Sequence, residues 1–335
     1  MESALIIAVV GIALIFTYTN GFHDAANAIA TSVSTRALTP RAALVMAALM
    51  NLLGAFLGTG VAQTIGAGIV DPPHVAASLV MVLAAVAGAI VWNLVTWWFG
   101  LPSSSSHALI GGLAGATLAS SGVVLWAGIL ESVLIPMIVA PVAGFTVSFL
   151  LMAAIRTVFQ NGQPGRLNRR FRIAQTFSAS AMALGHGLQD AQKTMGVITL
   201  ALVVGGYQTG FQVQGWVIIA SAVMLAAGTY AGGWRIMRTL GRRIVDLDSA
   251  SGFAAESTAA GVLYSTAFIF HAPISTTHAI TAAVTGVGAT RRASAVRWGV
   301  AGHIVGAWVL TLPMAALAGA VLYWVLSALP GLGSL

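Results

Sequence analysis

The sequence predicts an all-α polytopic membrane protein, built as two inverted-topology repeats with broken helices and two re-entrant hairpins. Three observations carry that prediction. Of 335 residues, 58% are hydrophobic and only 7% charged, with a mean hydropathy of +0.92. A soluble domain carries about 25% charged residues, so this chain cannot build a water-facing surface of its size. The apolar residues fall in stretches long enough to cross a bilayer, which takes roughly 20 residues per helix. Four landmarks recur in the same order in the two halves of the chain. A soluble enzyme is excluded, and so is a nucleic-acid partner, despite the net charge of +7. The absence of cysteine excludes disulfides, zinc thiolate sites and thiol nucleophiles.

The apolar stretches are 3–35, 42–70, 75–100, 123–158, 173–205, 213–234, 256–270 and 294–330. The chain starts with Glu2 and no basic segment, so Ala4 to Thr17 reads as a first membrane helix rather than a cleaved signal peptide. Stretches 123–158 and 294–330 are long enough for two crossings each, with Pro141 and Pro313 as break points. Segments 101–121 and 271–290 open on Pro102-Ser103-Ser104-Ser105-Ser106-His107 and Pro273-Ile274-Ser275-Thr276-Thr277-His278, then run into small-residue helices. Both read as re-entrant hairpins. The polar stretch 159–172 holds Arg166, Arg169, Arg170 and Arg172 and reads as a linker. The organisation is therefore a first repeat over 1–158, an Arg-rich linker over 159–172 and a second repeat over 173–335.

Asp24 precedes His107 by 83 residues, and Asp190 precedes His278 by 88. Trp126 and Pro141 lie 15 apart, as do Trp298 and Pro313. Landmarks at near-constant offset indicate internal duplication. Arginines mark the cytoplasmic side. Arg36 and Arg41, the linker arginines, and Arg235, Arg238, Arg242 and Arg243 place those segments inside and the N-terminus outside. The halves then start from opposite sides. On this scheme Arg291, Arg292 and Arg297 fall outside, against the rule.

Ionisable groups inside a membrane are costly and generally face a protein cavity. Asp24, Glu131, Asp190 and Glu256 all sit in apolar stretches. Asp24 with Asn27, and Asp190 with Lys193, are i,i+3 pairs on one helix face. Gly21 and Gly187 precede them as candidate helix breaks. Polar residues at midplane breaks are where transporters bind ion and substrate. Lys193, the only lysine, suits either an ion pair with Asp190 or an anionic substrate. The hairpin hydroxyls Ser104, Ser105, Ser106, Ser275, Thr276 and Thr277 stand at helix starts. There, hydroxyls, free N–H groups and the positive helix end all favour a tetrahedral oxyanion. His23, His107, His186 and His278 could relay protons.

These motifs resemble the inorganic phosphate transporter (PiT) family, particularly its compact bacterial low-affinity members. The resemblance rests on Gly21-Phe22-His23-Asp24-Ala25-Ala26-Asn27-Ala28, on His186-Gly187-Leu188-Gln189-Asp190-Ala191-Gln192-Lys193, and on the hairpins Pro102–His107 and Pro273–His278. It implies a secondary transporter, a symporter of inorganic phosphate in the cytoplasmic (inner) membrane, with its site between two inverted repeats. It implies that Asn27, Gln189, Lys193 and the hairpin hydroxyls bind substrate, while Asp24, Asp190 and His23 handle the coupling ion. No cofactor is expected beyond H+ or Na+, or a divalent metal travelling with phosphate, and a homo-oligomer is compatible. His23 and Gln189 stand where the family often has Asn. Losing those amides would weaken a sodium site, so proton coupling is the expectation. A sodium-coupled phosphate or metal–phosphate carrier and a sulfate permease of the same family are the alternatives. An anion channel fits poorly, because two acids in the path would repel substrate. A serine hydrolase using His107 or His278 would have no need of a twin motif.

Overall fold

A computed structural model describes residues 2–71 and 75–330. Helix α1 (Glu2–Ser34) is followed by α2 (Pro40–Gly54), α3 (Gly60–Ala67), the two-residue strand β1 (Val70–Asp71), α4 (Val75–Phe99) and α5 (Ser105–Ala119). Strand β2 (Val123–Val124) then leads into α6 (Trp126–Ile129), which continues through a π-helical turn at Leu130–Leu134 into α7 (Ile135–Val158). The second half holds α8 (Pro164–Val204), α9 (Gly215–Ala231), α10 (Trp234–Arg238), α11 (Ser249–Ser265), α12 (Thr276–Ala289) and α13 (Trp298–Ser327). Five helices are long and apolar enough to cross a membrane, six if the bent pair Gly215–Ala231 and Trp234–Gly241 counts as one. The chain is a multi-pass membrane protein.

The centre of the fold is an antiparallel pair, α1 and α8. Side chains meet along its full length. Thr35 donates to Gln175 at 2.7 Å, Asn20 to Asp190 at 3.1 Å, Thr17 to Thr194 at 2.5 Å, and Tyr207 just past α8 to Ser3 at 3.4 Å. Gly21 and Gly187 do not break these helices, as the sequence suggested. They permit contact. A Cβ on Gly21 would lie 2.6 Å from the Leu225 carbonyl, and one on Gly187 would collide with the Asn51 backbone. The breaks sit in the neighbouring spans. Residues 55–59 separate α2 from α3, and a 57° bend at Gly232–Gly233 separates α9 from α10.

Stretches 123–158 and 294–330 each hold one long helix, not two crossings, with Pro141 inside α7 and Pro313 inside α13. Proline removes one N–H, and membrane helices tolerate it where a neighbour takes up the freed carbonyl. The polar stretch 159–172 is a turn only over 159–163. From Pro164 onward it forms the first turns of α8.

The α4–α5 unit starts and finishes at the same end of the fold, because the strands at its two ends pair, Val70 with Val124. The α11–α12 unit does the same at the opposite end, where Arg291 pairs with Asp248. Each predicted hairpin is thus the second limb of a longer helical hairpin. Every arginine-bearing segment gathers at this second end. Arg172 donates to the Arg36 carbonyl at 2.5 Å, Arg156 to the Thr290 carbonyl at 3.0 Å, and the Arg297 N–H to the Ile244 carbonyl at 3.0 Å. Arg291, Arg292 and Arg297 therefore lie with the other arginines and not opposite them. The sequence scheme misplaced them because it put the far end of the second hairpin outside; α12 has only 14 residues, which rise about 21 Å, too little to span.

Candidate functional site

On α1, Asn20, Asp24, Asn27 and Thr31 recur every three or four residues and form one stripe. On α8, His186, Asp190 and Lys193 do the same. The two stripes face each other where the helices cross. All seven residues are at most 1% exposed. Asp190 sits 2.8 Å from the Lys193 ammonium and 3.2 Å from His186 Nε2, and it accepts from Asn20. Asp24 Oδ1 lies 2.7 Å from His23 Nδ1, and its Oδ2 accepts from Ser105 at 2.7 Å.

The two hairpins aim their helix starts at this crossing. Ser104 caps α5 by accepting from the His107 N–H, and Ser275 caps α12 by accepting from the His278 N–H, both at 3.2 Å. Those caps fix the next hydroxyls. Ser105 bridges the halves, donating to Asp24 and accepting from Lys193 at 2.8 Å. Thr276 and Thr277 accept from Asn27 at 3.2 and 2.8 Å, and Thr277 lies 3.5 Å from Asp24. The contacts are reciprocal: Asn27 of the first half reaches the second hairpin, and Lys193 of the second half reaches the first. Behind them the His107 and His278 rings meet edge to face at 4.9 Å, and His278 stacks on Trp308 at 3.8 Å.

Four predicted residues are placed differently. Ser106 donates to the Ile274 carbonyl at 2.9 Å and so ties the two hairpins together. Gln189 turns away from the crossing and donates to Thr266 at 3.0 Å and, at longer range, to the Leu263 and Ala272 carbonyls. Glu131 is exposed and lines a groove of about 780 Å³ between α7 and α11. Glu256 forms a separate buried layer nearer the arginine end. It accepts from Thr31 at 2.5 Å, Ser178 at 2.6 Å and Gln175 at 3.2 Å. Reading the sequence did not assign Asn20, Thr96 or Ser103. Thr96 and Ser103 hold the outer nitrogen of His23, at 3.2 and 3.4 Å. Asn20 was within reach of the sequence, since it lies four residues before Asp24 and so on the same face.

With both histidines neutral, Asp24, Asp190 and Lys193 leave the crossing one charge negative. Each proton taken up by His23 or His186 raises that by one. Ligand atoms of Asp24, His186 and Asp190 all lie within 4.8 Å of one another, a spacing that could hold a cation. The crossing thus offers acidic groups for a cation or proton beside an ammonium, an amide and hydroxyls for an anion.

A model of the phosphate transporter family matches residues 20–319. The chain belongs to the phosphate transporter family. It is similar to the probable low-affinity inorganic phosphate transporter of Rhizobium meliloti, 47% identical over 96% of both chains. The same-named protein of Bacillus subtilis is 42% identical over 96% of this chain and 97% of its own length. A solved structure called the sodium-dependent phosphate transporter superposes with a TM-score of 0.88 at 26% identity, covering 96% of this chain and 99% of that one. The family and these relatives are transporters, not enzymes. The matched region contains every residue of the buried crossing, from Asn20 to Trp308.

Proposed function

We propose that this member of the phosphate transporter family is a proton-coupled symporter that imports inorganic phosphate across the cytoplasmic membrane. One observation carries the reading. Two hairpin starts, one from each half, converge on a buried layer that contains two carboxylates, one ammonium and two histidines. Substrate would displace the contacts these groups now make with one another. Lys193, Asn27, Ser105, Thr276 and Thr277 would hold phosphate oxygens. Asp24 and Asp190 distinguish phosphate from sulfate. An ionised carboxylate only accepts hydrogen bonds, and near neutral pH phosphate keeps a P–OH to donate while sulfate has none.

His23 supports the proton. It touches Asp24 directly and is held by neutral hydroxyls on its other side. The reciprocal contacts support two inverted repeats, 1–158 and 173–335 joined through 159–172, rocking about a fixed site. Sodium coupling is the second reading. The Asp24–His186–Asp190 spacing favours it, as does the relative called sodium-dependent.

Labelled phosphate uptake into proteoliposomes, under a pH gradient or a sodium gradient alone, separates the two. Uphill uptake driven by pH and lost in Asp24→Asn and Asp190→Asn is the expected outcome. Uptake driven only by sodium would overturn proton coupling and leave phosphate as substrate.

A further inference from the structure

At the arginine end, α10 and the turn after it carry a cluster that transport does not use. Arg235, Arg238 and Arg243 are exposed and, with Trp98, Gly100 and Thr239, line a cavity of about 360 Å³. Arg235 lies over the Trp97 and Trp98 rings, 5.0 and 4.5 Å from their centres, and donates to the Trp98 carbonyl at 2.8 Å. Thr239 donates to the Gly100 carbonyl at 2.9 Å and fixes the cavity wall. None of these three arginines has an acidic partner among the described residues. The neighbouring basic cavity around Arg291 and Arg297 differs, because Asp248 and Asp246 already answer those side chains. The charge at α10 is therefore unspent.

Its surroundings say what would answer it. Trp98 and Phe99 are 63% and 70% exposed beside the arginines, and aromatic rings of that kind mark the headgroup level of a bilayer. On the other flank of α10, Arg238 also borders a slot of about 250 Å³ walled by Ala30, Val33, Pro40, Trp234 and Met237. A cationic pocket and an apolar slot thus share one arginine at the membrane boundary. Basic pockets between membrane helices on the cytoplasmic side bind anionic headgroups.

We propose that this junction of α4 and α10 is a binding site for one anionic phospholipid, its phosphate held by Arg235, Arg238 and Arg243 and an acyl chain laid in the adjoining slot. Occupancy would reach the transport site through a short path. Gly233, at the base of α10, packs against the Phe22 and His23 carbonyls. A lipid that pins α10 therefore pins the backbone carrying His23.

The test uses the full-length protein in nanodiscs of phosphatidylcholine, with or without added phosphatidylglycerol, and native mass spectrometry of the lipids it retains. Phosphatidylglycerol should be retained about tenfold or more over phosphatidylcholine. Arg238→Gln with Arg243→Gln should abolish that preference, while Arg291→Gln should leave it intact. Equal retention of the two lipids would overturn the proposal. So would a preference that survives the double substitution. A third arm adds inorganic phosphate to phosphatidylcholine discs. If it raises the thermal midpoint of Asp24→Asn as much as phosphatidylglycerol does, and only when both arginines are present, the pocket serves free phosphate and the lipid assignment fails. Requiring both arginines for the shift keeps the result separate from the transport site.

Discussion

Lys193 shows how much one side chain decides. It is the only lysine, it is fully buried, and it joins Asp190 of its own helix to Ser105 of the opposite half. Removing one member of a buried ion pair strands the other and costs about 3–5 kcal/mol. Lys193→Met should therefore lower the thermal midpoint in detergent and abolish phosphate uptake. Lys193→Met with Asp190→Asn should recover most of the midpoint and none of the uptake. If the single variant melts like the wild type, the pair is not the electrostatic centre of the fold. Asn27→Ala makes a milder test. It strips Thr276 and Thr277 of their shared donor, at about 1–2 kcal/mol, and should raise the KM for phosphate more than it lowers the thermal midpoint.

At the scale of elements, close helix approach and capping do the positioning. Gly228 of α9 meets the Tyr18 backbone of α1, and Gly21 of α1 meets Leu225 and Gly228 in return. Backbone cannot yield as a side chain can, so Gly228→Leu should destabilise by about 1–3 kcal/mol or more, read as a lower midpoint and reduced membrane expression. Helix α11 starts on Asp248, which accepts from the Ser251 N–H and pairs with Arg291. Burial opposes ionisation of Asp248, but the Ser251 bonds and the Arg291 guanidinium outweigh it and hold its carboxyl below the usual carboxylate range. A depressed folded pKa means stability that is complete above the unfolded value, about 3.9, and lost as pH falls through the folded one. Wild type should melt above Asp248→Asn at pH 7, and the two should converge below about pH 4. A gap that persists in acid would refute the ionic role. The side chain is partly exposed, so the gap should be modest.

Across the whole molecule, the chain sorts its arginines to one end and leaves the other to Tyr207, the β1–β2 pair and the polar loop 205–214. Because the protein has no cysteine, single cysteines report topology without background. Cysteines at Arg169 and Arg292 should react with an impermeant maleimide only from the cytoplasmic side, and one at Thr209 only from outside. Labelling of Arg292→Cys from outside would restore the first sequence scheme for that segment.

The family was legible because its signals are local. Apolar runs gave the membrane and a few of its helices, and polar residues at helical spacing gave Asp24, Asn27, Asp190 and Lys193. Ser or Thr before a helix gave the caps at Ser104 and Ser275. What failed was whatever depends on a neighbour. Gly21 and Gly187 look alike as breaks or as contact points until the backbone of Leu225 or Asn51 is placed against them. Pro141 and Pro313 break a helix only if nothing takes up the freed carbonyl. Gln189 shares its motif with Asp190 but lies 100° round the helix, so it turns to α11 instead of the crossing. The sequence by itself determined the solvent this protein lives in, its helical fold and its buried charges, because composition and periodicity are properties of single segments. Only the tertiary structure decided which charges meet, where helices break and which end the last arginines occupy, because each of those is settled by a contact between segments far apart in the chain.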